Sequence, residues 1–343
     1  MTKIFNRKLL WLVIGIVILL GVLWKQGVFN VKKPVESIKE IGEKTVSMVR
    51  GGDGFTFDED TPGYETYQKL NQGCSMKDCI LSIDEPEFES VEEGNKWLED
   101  GDVVFAYSDG TTHRAYPQRI MNWHEIVNDV VGEVAVVITF CPFCGSSLVF
   151  ERSVDGRVLE FGVSGKLHNS NLVMYDRETK SLWQQISSEA IVGEMLGTKL
   201  AQLPMDTLRY GEWKSQYPNG EVLSRNTGYS RDYGRYPYGS YEQNTEVYFP
   251  VEGGVDETVH PKTKVYGIVV NEVAKAYTKE ALERETEFDG VLTDRVGGAV
   301  LRISYDNGEV RVENLSNTRE KIVPTRLFWF AWMAFYPETE LLD

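Results

Sequence analysis

Reactive side chains are scarce in this 343-residue chain, which has four cysteines and four histidines. Several catalytic signatures are missing. There is no Walker or dinucleotide glycine pattern and no H-E-x-x-H, and Gly162-Val163-Ser164-Gly165 departs from the G-x-S-x-G nucleophile elbow. No nucleotide cofactor is therefore indicated, and no internal repeat is visible. Acidic residues are absent from the N-terminal stretch: residues 1–33 hold six of the 36 Lys and Arg and no Asp or Glu. The remainder carries 30 basic against 52 acidic residues, a net of −22. Such a body repels phosphate backbones, so no nucleic-acid partner is expected, whereas cationic partners and metal ions are attracted. What is present suffices for a core. Hydrophobic residues make up 42% and aromatics 12%, which excludes global disorder.

Residues 9–24 are uncharged and apolar, framed by Lys3, Arg7 and Lys8 on one side and Lys25 on the other. At about 1.5 Å per residue they make a short span of a ~30 Å hydrocarbon layer, with Trp11 and Trp24 at the interfaces. A cleaved signal peptide has the same charged start. No small-x-small cleavage site follows, however, and no cysteine precedes Cys74 as a lipid anchor. The expectation is a cytoplasmic tail (1–8), a transmembrane signal-anchor (9–24), a stalk (25–63) and one large domain (64–343) on the extracytoplasmic side of the cell membrane. Outside the cytoplasm, four cysteines suit disulfides.

The domain reads as α+β and β-rich, a single mixed unit of short strands and a few helices. Ser90-Val91-Glu92-Glu93 predicts a capped helix to residue 98. A hairpin is predicted over 103–107 and 111–116, a helix over 117–128, and a buried β-branched strand over 134–140. Short strands follow at 148–151, 159–163, 172–175, 265–270, 299–305 and 309–315. Helices are expected at 205–216 and 327–335, and residues 227–241, rich in Tyr, Gly and Arg, read as loop.

The strand at 134–140 delivers the chain to Cys141-Pro142-Phe143-Cys144-Gly145. Two sulfurs at this spacing suit a metal knuckle, in which Gly takes a positive φ and backbone N–H groups turn toward thiolates. They equally suit a dithiol couple, since neighbouring amides lower a thiol pKa. Cys74 and Cys79 supply a second, looser pair. Together the four form a tetrathiolate set, or each pair closes a local disulfide. A 141–144 disulfide would constrain the unfolded chain little, so the worth of that pair is chemical. Among the histidines, His124 precedes the cysteine-bearing strand and suits a ligand, a proton carrier or a hydrogen-bonded helix residue. His168 lies in a polar loop and suits a further ligand for copper or zinc, or a plain loop residue. His113 and His260 read as structural, and Met174, a soft donor for Cu(I), reads as core. Glu125, Asp129, Asp176 and Arg177 are polar site candidates with solvated or capping roles as the alternative.

A set of motifs then resembles one family. These are Ala115-Tyr116-Pro117, Asn122-Trp123-His124-Glu125-Ile126-Val127-Asn128-Asp129, Thr139-Phe140-Cys141-Pro142-Phe143-Cys144-Gly145-Ser146, Phe161-Gly162-Val163-Ser164-Gly165, Leu172-Val173-Met174-Tyr175-Asp176-Arg177 and Ser181-Leu182-Trp183-Gln184-Gln185. In this order, over roughly residues 70–340, they resemble the bacterial and archaeal family catalogued as domain of unknown function 3179. The resemblance implies no reaction, but it singles out the Trp-His-Glu segment and the Cys-Pro-x-Cys-Gly knuckle as recurring elements. Cys74 and Cys79 fall where the family resembles a Gly-Pro-rich segment, which favours a disulfide of this lineage over a tetrathiolate. His168 falls where members resemble Tyr, Arg or Leu, which demotes it as a ligand. Cys141, Cys144 and His124 are left as the expected set, holding copper or zinc with a metal-transfer partner. The alternative is thiol-disulfide chemistry with a redox partner, and a third reading is a binding module with structural disulfides.

Overall fold

A computed structural model describes residues 52–306 and 308–343. The expected membrane span and cytoplasmic tail lie outside the described residues, and among these no helix is long and apolar enough to cross a membrane. Along the chain come α1 (Tyr64–Lys69), β1 (Asn71–Gln72), β2 (Phe88–Ser90), α2 (Val91–Gly94), β3 (Val103–Ser108) and β4 (His113–Pro117). Next are α3 (Gln118–His124), β5 (Ile126–Val131), β6 (Val134–Cys141), β7 (Ser146–Glu151), β8 (Ser153–Val154), β9 (Arg157–Val158), β10 (Phe161–His168) and β11 (Asn171–Asp176). Then follow β12 (Leu182–Gln184), β13 (Glu189–Val192), β14 (Gln202–Leu203), β15 (Asp206–Arg209), α4 (Tyr210–Gln216) and β16 (Glu221–Leu223). After a long connection come β17 (Lys264–Val270), β18 (Val273–Thr278), α5 (Lys279–Thr286), β19 (Val291–Val296), β20 (Ala299–Asp306), β21 (Glu309–Asn314), β22 (Thr325–Phe328), α6 (Trp329–Phe335) and β23 (Glu340–Leu342). The β-rich, mixed α+β expectation is met, and residues 53–343 pack as one unit.

The largest sheet runs β23-β18-β17-β22-β7-β6-β5, with β14 added beside β7. Its strand β6 shows why the run at 134–140 is apolar without interruption. Val136, Ile138 and Phe140 enter one core cluster with Tyr116 and Ile120, while Val137 and Cys141 enter another with Phe161, Trp183 and Phe328. Successive side chains point to opposite faces, so a strand buried on both faces must be apolar throughout. A second sheet, β1-β10-β11-β12-β13, carries the Phe161-to-Gln184 motifs, and a third, β15-β3-β4-β16-β2, carries the Ala115-Tyr116-Pro117 motif.

Several elements differ from the sequence reading. The helix expected over 117–128 ends at His124, and Ile126 to Val131 form β5 instead. Ile126, Val127, Val130 and Val131 are β-branched and stiff at χ1, which favours the pleated surface once β6 is available as a partner. The reversal falls on Glu125, a left-handed residue with φ 58°. Residues 206–209 pair with β3 before α4 begins, and residues 325–328 are strand before α6 begins. The Ser90 cap is present, its hydroxyl accepting from Glu93 N at 3.3 Å, but the helix is only Val91–Gly94. Part of the expected stalk is packed: Phe55 stacks on Phe57 and meets Tyr67 and Tyr175 edge-on. Asp53 there ion-pairs with Lys166 at 2.6 Å.

Candidate functional site: a buried cysteine pair at a hairpin turn

The knuckle is the turn between β6 and β7, with Cys141 paired to Ser146 across it. Gly145 closes the turn at φ 58°, and a Cβ there would lie 2.8 Å from the Phe328 ring. Glycine is thus required both by the left-handed backbone and by the close approach. The turn is tied to β22 by the Phe328 N–H, which donates to the Cys144 carbonyl at 2.7 Å.

Cys141 and Cys144 are free thiols, 1% and 0% exposed. A second turn reaches them. Asn169 and Ser170, both at positive φ, join β10 to β11 in a two-residue hairpin. The Ser170 carbonyl this turn presents accepts from Cys144 Sγ at 3.3 Å, with Cys141 Sγ at 4.0 Å. The two thiols are not equivalent. Burial raises the Cys141 pKa, but a hydrogen bond from Cys144 and the N–H groups of Cys144, Leu172 and Phe143 outweigh it and bring that thiol below its ordinary value. Burial, then the hydrogen bond to Cys141 and the charge on it, push Cys144 well up, so Cys144 keeps its one proton, shared between the Cys141 sulfur and the Ser170 carbonyl.

Glu125 lies beside the pair, brought there by its left-handed turn. Burial, and then the charge on Cys141, hold its carboxyl well above the usual carboxylate range. The Tyr238 hydroxyl donates to Glu125 Oε1 at 3.4 Å. Around the turn runs a buried polar network. Ser146 Oγ donates to Gln185 Oε1 at 2.7 Å, Asn171 Nδ2 to the same oxygen at 2.9 Å, and Gln185 Nε2 to Thr139 Oγ1 at 2.8 Å. Satisfied networks of this kind rigidify a low-dielectric interior, which fixes the thiols in place.

His124 is adjacent in sequence but engaged elsewhere. Its Nδ1 donates to the Leu81 carbonyl at 2.6 Å, so Nε2 of the neutral ring accepts from the Tyr233 hydroxyl at 2.7 Å. Tyr233 in turn accepts from Thr227 Oγ1 at 2.6 Å. Burial lowers the His124 pKa, in keeping with that neutral ring. Tyr233 packs in the cluster on the Phe140 face of β6, whereas the sulfurs lie in the cluster on the opposite face. Among the described residues no group of three or more His, Cys, Asp or Glu side chains is arranged to hold a metal ion.

The other sequence candidates lie in separate structural networks. Asp129 accepts from Arg114 at 2.7 Å and from the Tyr116 hydroxyl at 2.5 Å. Asp176 caps the turn to Thr179 and accepts from Trp183 Nε1 at 2.9 Å. Arg177 pairs with Asp78, Asp84 and Glu160 at 3.3, 3.2 and 2.8 Å. His168 stands edge-on to Phe335 and His113 stacks on Tyr217, whereas Met174 is core in the same buried cluster as the two sulfurs. Cys74 and Cys79 are joined in a disulfide. That loop is fastened to the β10 bulge: Gly73 and Cys74 donate N–H bonds to the Gly165 carbonyl, and Asp78 donates to the Val163 carbonyl.

Residues that the sequence reading passed over complete the site. Phe143, inside the knuckle, meets the rings of Tyr238, Tyr241, Tyr248 and Phe249 at 5.2–5.9 Å. The Tyr241 hydroxyl donates to the Phe143 carbonyl at 3.0 Å. The only sequence signal for these was the density of tyrosine in a stretch otherwise readable as loop.

Compared with known proteins, the chain matches over residues 77–320 a family model described as "Protein of unknown function (DUF3179)". It matches no curated protein and no solved structure.

Proposed function

The chain belongs to the DUF3179 family, whose description assigns no activity, and from the site itself we propose a thiol-disulfide redox protein in which Cys141 and Cys144 cycle between dithiol and disulfide. The observation that carries this reading is the asymmetry of a buried, hydrogen-bonded free pair: one thiol is lowered by four hydrogen bonds and the other is held protonated. The thiolate is the nucleophile, and a second thiol three residues away is placed to resolve the mixed disulfide it forms.

The exchange balances as follows. The Cys141 thiolate attacks a disulfide RS–SR′, forming a Cys141–SR bond and releasing R′S⁻, which takes a proton from solvent. Cys144 then attacks the Cys141 sulfur, its proton passing to the departing RS⁻, and the Cys141–Cys144 bond closes. The substrate disulfide is reduced by two electrons and the pair is oxidised by two. An external dithiol reverses the step. We place this site on the outer side of the cell membrane, tethered by residues 9–24. The Cys74–Cys79 disulfide supports that placement, since such bonds persist in oxidising compartments.

A trapping experiment tests the reading. With glutathione disulfide, Cys144→Ser should accumulate a mixed disulfide on Cys141, because the resolving thiol is gone, while Cys141→Ser should accumulate none on Cys144. Equal or absent adducts in both variants would overturn it. So would copper or zinc bound one-to-one in the wild type and lost in Cys141→Ser.

A further inference from the structure

Both sulfurs are closed off from solvent, so no disulfide reaches them in the conformation described. One side of the pair is the Ser170 turn; against Phe143, between the two cysteines, lies part of a single connection. Residues 224–263, between β16 and β17, contain no strand and only one short 3₁₀ turn, Tyr241–Gln243. A connection of this length without regular structure is uncommon in a domain, and such loops are characteristically lids or binding loops.

Its attachment is unusual for its composition. Within residues 227–249 the backbone–backbone hydrogen bonds that end elements do not claim are local: Arg235 to Asp232, Tyr241 to Tyr238, Gln243 to Ser240. The body of the domain is gripped by side chains instead. The Tyr233 hydroxyl bonds His124, the Tyr238 hydroxyl bonds Glu125, and the Tyr241 hydroxyl bonds the Phe143 carbonyl. Trp123 Nε1 donates back to the Arg235 carbonyl at 3.2 Å. Three of these four bonds end on the Trp-His-Glu segment and the fourth on the knuckle itself. Beyond the tyrosines the root is firm. Lys262 is buried and ties that root to the segment's own middle: its Nζ sits 3.5 Å from the Tyr241 ring centroid, donates to the Tyr241 carbonyl, and donates to the Asn244 carbonyl and Oδ1 at 2.9 Å. The next residues join the body through the Trp329 and Phe330 N–H groups. A segment fixed at its root and held elsewhere by separable side-chain bonds belongs to the low-stability end of a fold, where local opening costs far less than unfolding.

We propose that residues 227–249 form a lid over the cysteine pair, latched by the hydroxyls of Tyr233, Tyr238 and Tyr241, and that the sulfurs become reactive only when this lid lifts as a unit. The inference rests on the dithiol reading for its purpose but not for its test. Lid opening exposes Phe143 and the two sulfurs while the β6–β7 hairpin, held by its ladder and by Phe328, stays in place.

The experiment uses the full-length protein, reduced and freed of reductant. Iodoacetamide labelling of Cys141 and Cys144 is followed by peptide mass spectrometry at urea concentrations below the unfolding transition, beside the global unfolding curve. Local opening exposes little surface, so labelling should be nearly independent of urea. Tyr241→Phe should speed labelling about 5-fold, and Tyr233→Phe with Tyr241→Phe about 25-fold, as expected for one and two lost bonds of about 1 kcal/mol each. Labelling whose urea dependence equals that of global unfolding would overturn the lid, and unchanged rates in both variants would overturn the latch. The wild-type urea dependence decides the question even if a variant folds poorly. Labelling reports access and not electron transfer, so a lid that opens over a pair unable to exchange would refute the redox reading alone.

Discussion

Cys144 donates its thiol proton toward the Ser170 carbonyl at 3.3 Å, joining the β6–β7 turn to the β10–β11 turn. Two hairpins from different sheets therefore meet at the sulfurs, and neither sulfur is placed by its own strand alone. Ser170 can present that carbonyl because it and Asn169 both adopt left-handed backbone.

The first expectation concerns the division of protons between the thiols. In the wild type the Cys141 thiol should titrate below the ordinary value of a cysteine, read as the pH midpoint of its alkylation rate. Cys144→Ala removes a donor to Cys141 and should move that midpoint upward. An unchanged midpoint would show that the Cys144 hydrogen bond does not shape the pair.

Glu125 makes a prediction about stability and pH. Its folded pKa is raised, whereas the unfolded carboxyl ionises near about 4.3. Above that pH the unfolded chain releases a proton that the folded chain retains, so folding is penalised increasingly as pH rises toward the folded pKa. Glu125→Gln keeps an oxygen for Tyr238 and removes the titration. It should be more stable than the wild type near neutral pH, by on the order of 1 kcal/mol, with the gap closing below about pH 4. Urea unfolding at several pH values measures both.

Lys262 provides a titration with a defined midpoint. Burial pulls its amine down to about 8 against the ordinary 10.4 or so. A folded cation with a depressed pKa penalises folding fully below about 8, and the penalty fades as pH rises toward the unfolded value. Carbon NMR of the Lys262 ε-methylene should show that midpoint, and in Lys262→Met the contribution of this group to the pH dependence of stability between about 8 and 10.4 should vanish.

Gly145→Ala tests the geometry of the knuckle. The left-handed backbone and the Cβ 2.8 Å from Phe328 both oppose it, and Phe328 is itself buried between elements. A loss of roughly 2–5 kcal/mol in urea unfolding is expected, summing αL strain of about 1–2 and overpacking of about 1–3. A neutral effect would mean that the turn and β22 are not in contact as described.

How far the sequence showed all this depends on the range of the contacts. The strand at 134–140, the knuckle after it and the glycine that closes it follow from local pattern, and they are where expected. The family was legible from motifs in order, and the matched region confirms it. The end of α3 was hidden because Ile120, Trp123, Ile126 and Val127 satisfy a helical stripe, whereas pairing with β6 decides for strand. His124 was expected to face the sulfurs because it precedes them in sequence. The one-residue reversal at Glu125 gives the carboxyl that position and turns the imidazole to Tyr233. The tyrosines of residues 227–241 read only as loop, since nothing local tells a solvated tyrosine from one latched onto a carbonyl a hundred residues away.

The reduction potential of the Cys141–Cys144 pair tests the central claim most directly. Glutathione and dithiothreitol redox buffers, read by peptide-resolved alkylation, would titrate it in the purified protein. A reversible two-electron transition confined to these two residues, at a potential above about −300 mV, is the result that a working dithiol site requires. A pair that never forms its disulfide across the accessible range, or that forms one resistant to reduction below about −300 mV, would contradict it.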